Sequence, residues 1–304
     1  MMTTRRFRST LAAVVAVFSL LVAYSAVAPA RPLAASSFLW KVTKGQGVVY
    51  LVGSVHMLTA DFYPLAPALD AAFKNSDLLV EEADLAEMLA PTTQFSLLQR
   101  GMLPAGQTLD KVVSPATLAL VKAHSGALGP LGNAIDAVKQ FKPWFLAMTL
   151  EALEWQKAGF DPSLGLDKHF YDRAQVDGKA VQGLETTEFQ ISLFDGMTPE
   201  QQERFLADTL KDLDKETASV GKLASAWKAG DVAGVERYVL QDMQNDPQVY
   251  QRLLVGRNRT WLPKIEALFS RPRPAFVVVG AAHLIGPDGL VALLKAKGYQ
   301  LVQQ

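Results

Sequence analysis

The chain contains no cysteine. Disulfide frameworks, thiolate metal sites, cysteine nucleophiles and a lipid-anchored cysteine are therefore excluded together. Long blocks of like charge are also missing, and the 30 basic residues are balanced by 30 acidic ones. Without a basic stripe, nucleic-acid binding has no support. The remaining composition, 49% hydrophobic and 20% charged, is that of a globular protein.

Long apolar runs are confined to the amino terminus. Three arginines lie within the first eight residues, residues 11–27 are mostly apolar, and small residues follow. This pattern is typical of a secretory signal peptide cleaved after Ala28 or Ala30, with a retained membrane anchor as the alternative. We predict a signal peptide over residues 1–30, a single domain over residues 31–304 without a stable membrane span, and a periplasmic or secreted protein.

Histidine is scarce, with four in 304 residues, and two of the four stand in matching places. The run VVYLVGSVH carries Gly53 and His56, and the run FVVVGAAHL carries Gly280 and His283. Each run reads as a strand that ends at a glycine, which permits a positive φ angle or a close backbone approach. Ligands of open α/β sheets bind beyond the carboxyl ends of the strands. If the two strands are neighbours, both histidines face one crevice.

A helical pattern and then a further strand follow each run, so both ends of the chain read as β-α-β units. The middle, approximately residues 86–270, is dominated by helical patterns, with one short strand at residues 179–185. Helix starts are predicted at Pro143, at Thr198 and at Asp246, and Pro263 is expected to kink or divide the last of these helices. We predict an α/β (α+β) fold in which a mixed or parallel sheet from the two terminal units carries a large helical middle.

Carboxylates end the strand LLVEEAD, which follows the first run. Two imidazoles and a carboxylate form a plausible site for a divalent metal with an open position. Glu82 and Glu81 are the candidate acids. The other two histidines, His124 and His169, are interpreted as structural, and Asp167 as a charge or cap at the start of a helix. A supporting role beside the metal site stays open as the alternative for Asp167 and His169.

Several ordered motifs carry a resemblance that runs from about residue 38 to the end. The segments LVGSVH, FYPL, VEEAD, KPW, GLDKHF, GLETTEFQ, AWKAGD, RNRTW and FVVVGAAHLIGPDGLVALLKAKGYQL resemble the TraB/GumN family, which is related to the Tiki proteases. The resemblance implies a fold shared with erythromycin-esterase-like and haem-binding ChaN-like proteins. It also implies an active site made of both glycine-histidine motifs, acids and an arginine.

The family pattern assigns the metal ligands to His56, Glu82 and His283. Glu81 stands where the family usually has an apolar residue, so the choice between Glu81 and Glu82 stays open. By resemblance the metal is manganese or cobalt, with zinc and iron as alternatives. The remaining site residues are the motif glycines Gly53 and Gly280 and the catalytic candidates Glu185, Arg257 and Asn258.

The roles that follow are those of a hydrolase. Glu185 is expected to be the general base and Arg257 to stabilise an oxyanion, whereas Asn258 is the more structural of the three. The function expected is an exported metal-dependent hydrolase, a peptidase acting on a peptide or protein. Two alternatives stay open: a haem- or metal-binding protein without hydrolytic activity, and an accessory protein of polysaccharide export.

Overall fold

A computed structural model describes residues 37–124, 138–244 and 246–304. The predicted signal peptide and its cleavage site lie outside the described residues. Within those ranges, no helix has the length and apolar character needed to cross a membrane.

One mixed sheet organises the described chain, with its strands in the order β4-β3-β5-β2-β1-β6. The strands are β1 (Leu39–Lys44), β2 (Gly47–Ser54), β3 (Leu78–Glu81), β4 (Ala180–Gly183), β5 (Ala275–Gly280) and β6 (Gln300–Gln303). The predicted α/β architecture is confirmed: both ends of the chain contribute strands, and the segment between them is largely helical.

The four strands β4, β3, β5 and β2 run parallel, and their carboxyl ends meet at one edge of the sheet. Ser54 at the end of β2 lies opposite Gly280 at the end of β5, and Glu81 at the end of β3 lies opposite Gly183 of β4. The strands before the two glycine-histidine motifs are therefore neighbours, as the prediction required.

The strand β1 was missed by the sequence interpretation. It pairs antiparallel with β2 through a tight turn at Gly45, whose φ of 58° favours glycine. The last strand, β6, pairs antiparallel with β1 at the far edge of the sheet. Both sides of β5 are occupied, by β3 and β2, so the carboxyl-terminal strand pairs at an edge of the sheet, beside β1.

Helices make up most of the rest of the described chain. The α-helices among the described residues are α1 (Pro67–Asn75), α2 (Leu85–Leu89), α3 (Pro91–Gly101), α4 (Leu109–Val112), α5 (Pro115–Ala123), α6 (Pro143–Lys157), α7 (Leu166–Val176), α8 (Thr187–Asp195), α9 (Pro199–Lys228), α10 (Val232–Gln244), α11 (Pro247–Tyr250), α12 (Gly256–Ala267) and α13 (Leu290–Ala296). Short 3₁₀ turns lie at Ala60–Phe62, Pro162–Leu164, Leu268–Ser270 and Ala281–His283.

The predicted helix starts are confirmed. Pro143 opens α6, Asp246 accepts backbone hydrogen bonds ahead of Pro247, and Thr198 forms a reciprocal capping box with Gln201. Pro263 does not divide its helix, since α12 continues through it. The interruption comes earlier, at a π-helical turn over Gln251–Val255.

The glycines of the two motifs are explained by close approach, not by dihedral angle. Neither Gly53 nor Gly280 is among the glycines with positive φ. A Cβ on Gly53 would lie 2.3 Å from the ring of Phe38, so a side chain at this position is excluded by the packed core. The space beside Gly280 is instead bordered by polar side chains of the site described next.

Candidate functional site

The carboxyl ends of the four parallel strands deliver the predicted residues side by side. Glu185 follows β4, Glu82 follows β3, His283 follows β5 and His56 follows β2. The turn after β4 is fixed to that after β3 because the Glu185 amide donates to the Glu82 carbonyl at 2.8 Å. Residues as far apart in sequence as 56 and 283 thus share one cleft.

Three of these side chains converge on Gly280. The position that a Cβ on Gly280 would occupy lies 3.2 Å from Glu82 Oε1, 3.6 Å from His56 Nε2 and 3.7 Å from His283 Cδ2. His283 Nε2 and Glu82 Oε1 are 3.8 Å apart. The absence of a side chain at residue 280 therefore leaves room between the three predicted metal ligands.

Arg257, on α12, is the hub of the buried half of the site. Its guanidinium donates to both oxygens of Glu185, to Glu82 Oε2 at 2.5 Å, and through Nη1 to His283 Nε2 at 3.0 Å. The remaining Nη1 hydrogen reaches the Leu253 carbonyl at 3.2 Å. Only 8% of the residue is exposed, so this cation is held by its two carboxylates and not by water.

Glu82 is held ionised by this arrangement. Burial alone would raise its pKa, but the charges of Arg257 and His56, together with a 2.7 Å hydrogen bond from the Gly280 amide, outweigh burial and lower the pKa to about 2. Gln190 on α8 donates a further hydrogen bond to Oε2 at 3.2 Å. Glu82 is therefore an anion with several fixed donors around it.

Glu185 faces the same cation from the other side. Its Oε1 accepts from Arg257, and its Oε2 accepts from the indole nitrogen of Trp261 at 2.9 Å. The Trp261 ring also stacks beneath the guanidinium, whose central carbon lies 4.6 Å from the ring centroid. In this geometry Glu185 and Trp261 together hold Arg257 in place.

His283 is a buried, neutral imidazole whose tautomer is fixed by its partners. Arg257 can only donate, so His283 Nε2 accepts, and Nδ1 donates to Asn258 Oδ1 at 2.7 Å. The Asn258 amide nitrogen in turn donates to the carbonyls of His283 and Asp288. Burial, reinforced by the charge of Arg257, lowers the pKa of His283 to about 3 despite the nearby Glu82.

His56 has the opposite character. Its side chain is 67% exposed, and Nδ1 donates to Asp167 Oδ2 at 2.9 Å. The charge of Asp167 raises the pKa of His56 to about 9, against the effect of desolvation, although water screens part of that attraction. His56 is thus the basic, open member of the pair.

The structure separates the two adjacent acids. Glu81 ends β3 with its side chain in the interior, 3% exposed, and neither of its oxygens accepts a hydrogen bond from a described side chain. Burial, with the negative charge of Asp167, raises its pKa to about 8. Glu82, one residue later, points to Arg257 and Gly280, which places Glu82 at the convergence point.

The donor set suits a divalent metal in kind, since two imidazoles with Nδ1 already hydrogen-bonded and one carboxylate surround a single space. In the structure, Arg257 donates hydrogen bonds to His283 Nε2 and Glu82 Oε2. No group of three or more His, Asp or Glu residues in the described ranges is arranged to hold a metal ion. Glu82 Oε1 faces the space beside Gly280 and is not bound by Arg257, so binding by all three ligands would require the guanidinium to release His283 Nε2.

Comparisons with known proteins show which family contains this chain. The profile of the TraB/PrgY/gumN family matches residues 38–303. The chain belongs to this family. It is similar to the uncharacterized protein YbaP of Escherichia coli (strain K12), with 27% identity over 246 residues, 81% of this chain and 87% of YbaP. YbaP of Shigella flexneri shows the same identity and coverage. No solved structure matches the chain.

The TraB/PrgY/gumN match includes every residue of the site, but sequence interpretation alone missed some participants. Asp167 was interpreted first as a helix charge or cap, with a supporting role at the site only as the alternative. It does lie in the first turn of α7, but its carboxylate binds Ser54 and His56. Trp261 and Gln190 were not singled out, and the nearest signal for them was their place within the RNRTW and GLETTEFQ motifs.

The other two histidines lie outside this cluster. His124 ends α5, where its Nδ1 lies 2.9 Å from the Leu120 carbonyl. His169 packs its ring 5.1 Å from that of Tyr63, and burial lowers its pKa. His124 and His169 therefore serve as controls for the site.

Proposed function

We propose that this protein is an exported metal-dependent hydrolase, a peptidase that acts on peptide or protein substrates in the periplasm or outside the cell. The observation that supports this best is the convergence of His56, Glu82 and His283 around the space beside Gly280. A divalent cation held there would supply Lewis acidity at a substrate carbonyl. Manganese and cobalt are the metals proposed first.

The protein's own residues have separate tasks in this proposal. Arg257 carries a permanent positive charge at the floor of the cleft and would stabilise negative charge developing on a substrate oxygen. Glu185 would accept a proton from the attacking water, since a carboxylate offers about four lone-pair positions and only part of this capacity is used by Arg257 and Trp261. Asn258 would keep His283 in the tautomer that presents Nε2.

Metal content tests the shared site. Plasma mass spectrometry on protein purified without chelator is expected to find about one equivalent of metal in the wild type. The His56→Ala/His283→Ala double variant should contain none. The matched control is His124→Ala/His169→Ala, which removes the other two histidines and should retain the metal. Metal loss in both double variants, or in neither, would contradict the shared site.

Hydrolysis is tested separately with a peptide library. Glu185→Gln is expected to retain the metal and lose cleavage by roughly 10²–10⁴-fold. Gly280→Ala places a methyl group between the three ligands and should reduce both metal binding and cleavage, whereas Gly221→Ala, with no atom within 4 Å of its Cβ position, should change neither. Cleavage that survives Glu185→Gln would remove Glu185 from the reaction.

A further inference from the structure

The start of α7 is docked on the turn that carries His56. The Leu166 amide donates to the Val55 carbonyl at 3.1 Å. Gly165, just before it, lies so close to His56 that a Cβ there would be 2.2 Å from the His56 carbonyl oxygen. The backbone at residues 165–167 therefore packs directly against residues 54–56, and no side chain fits between Gly165 and His56.

Asp167 uses this docking to reach two groups at once. Its Oδ1 accepts from Ser54 Oγ at 2.8 Å, and its Oδ2 accepts from His56 Nδ1 at 2.9 Å. Ser54 is buried at 3% exposure, and the Asp167 side chain is 17% exposed. The carboxylate is thus anchored on its buried side by the end of β2 and directs its second oxygen outward to the imidazole.

This contact determines which nitrogen of His56 faces the cleft. A carboxylate can only accept, so Nδ1 carries the hydrogen, and Nε2 points to the space beside Gly280. With two-thirds of the side chain in solvent, apolar packing provides little restraint on its χ angles. The hydrogen bond to Asp167 therefore restrains the orientation of the ring.

We propose that Asp167, anchored by Ser54, is a positioning residue that holds His56 with Nε2 directed at Glu82 and His283. The positioning role applies to the metal-free protein. Only its consequence, a preformed third metal ligand, rests on the proposed function. Carboxylates that orient a metal-binding imidazole typically change metal affinity by roughly 10–100-fold when they are removed.

The first test is NMR of metal-free protein labelled with ¹⁵N-histidine, with His56→Gln used to assign the His56 signals. In the wild type we expect nuclear Overhauser contacts from the His56 ring to Gly280 and a hydrogen-bonded Nδ1. In Asp167→Ala both should be lost. Asp167→Asn, which keeps an acceptor at the same place, should retain the ring contacts in part, and Ser54→Ala should weaken them less than Asp167→Ala.

Two references separate positioning from general damage. His283 is held by Asn258, so its signals should be unchanged if the fold is intact. Asp172→Ala removes a 54% exposed carboxylate of α7 that pairs with Lys168 and should leave His56 as it is in the wild type. The proposal is overturned if the ring contacts survive in Asp167→Ala, or if Asp172→Ala removes them equally.

A cobalt titration then tests the consequence. We expect Asp167→Ala to bind Co²⁺ roughly 10–100-fold more weakly than the wild type and Asp172→Ala to bind it equally well. If the wild type binds no cobalt while the NMR result holds, the proposed function fails and the positioning role stands. Equal cobalt affinity in the wild type and Asp167→Ala would remove the proposed consequence.

Discussion

The two glycine-histidine motifs are nearly identical in sequence pattern and opposite in chemistry. Each follows one of two paired parallel strands, each histidine donates Nδ1 to an oxygen, and each directs Nε2 at the same cleft. The His56 side chain is 67% exposed and bound to a carboxylate, whereas the His283 side chain is 7% exposed and bound to an amide. The pKa is about 9 for the first and about 3 for the second.

The comparison teaches that a local motif sets where an imidazole lies, and that its tertiary partner sets its charge. Asp167 comes from the start of α7 and Asn258 from α12, both far away in the sequence. A carboxylate stabilises an imidazolium, and a buried amide beside an arginine does not. The site thereby contains one open, basic histidine and one buried, neutral histidine.

The largest expected effect on stability comes from the substitution of Arg257, which joins the buried side chains of the site. Arg257→Met leaves Glu82 and Glu185 buried without their cation, and we expect it to lower the free energy of unfolding by about 3–5 kcal/mol. Urea-induced unfolding measures this change. Arg259→Met is the control on the same helix: its side chain is 66% exposed and 3.9 Å from Asp288, and we expect a change below about 0.5 kcal/mol. Equal losses would mean that Arg257 is not the hub.

An intermediate effect should distinguish the two histidines themselves. His283→Ala leaves Asn258 Oδ1 and an Arg257 N–H without their partner in a buried space, at a cost of about 2–4 kcal/mol in unfolding free energy. His56→Ala removes an exposed ion pair, which is worth less than about 1 kcal/mol. Thermal unfolding of both variants in one buffer measures the difference. A larger loss for His56→Ala would invert the comparison.

The smallest effect is the pH dependence, and it should have opposite signs in the two motifs. Folding lowers the pKa of His283 from its usual 6.5 to about 3, so the unfolded chain binds a proton that the folded chain does not. Stability is therefore lost as the pH falls below 6.5. Folding raises the pKa of His56 to about 9, so the stability from its pair with Asp167 is present below pH 6.5 and lost as the pH rises through 9.

Urea unfolding between pH 5 and pH 9 measures both slopes. On the acid side, His283→Gln should reduce the slope of the unfolding free energy against pH by at most about 1.4 kcal/mol per pH unit. On the alkaline side, His56→Gln should reduce this slope by a smaller amount, because water screens the exposed pair of His56 and Asp167. Below pH 4.5 the lowered pKa of Glu82 adds a loss of the same sign as that of His283. The raised pKa of Glu81 and the lowered pKa of His169 also contribute to the slope, so each histidine is assigned the difference between its variant and the wild type at the same pH. Identical profiles for the two variants would show that tertiary partners do not set the two pKa values.

Much of the fold was readable from local patterns. The strands before both motifs, the capping box at Thr198, the cap at Asp246 and the short strand after residue 179 were all found, because each depends on residues within one or two turns of each other. The strand β1 was missed although Trp40 and Val42 alternate with polar neighbours. The position of β6 could not be predicted, because it depends on which edge β1 leaves free.

The sequence by itself determined that two glycine-histidine turns stand at strand ends and that acids follow a neighbouring strand, since strand periodicity and glycine placement are local properties. Only the tertiary structure decided that Glu82 and not Glu81 faces Gly280, that Arg257 joins two carboxylates to His283, and that Asp167 holds His56. The physical reason is that burial and charge pairing depend on distances between segments that lie 26 to 198 residues apart in the sequence. Those distances exist only after the parallel strands have aligned their carboxyl ends at one edge.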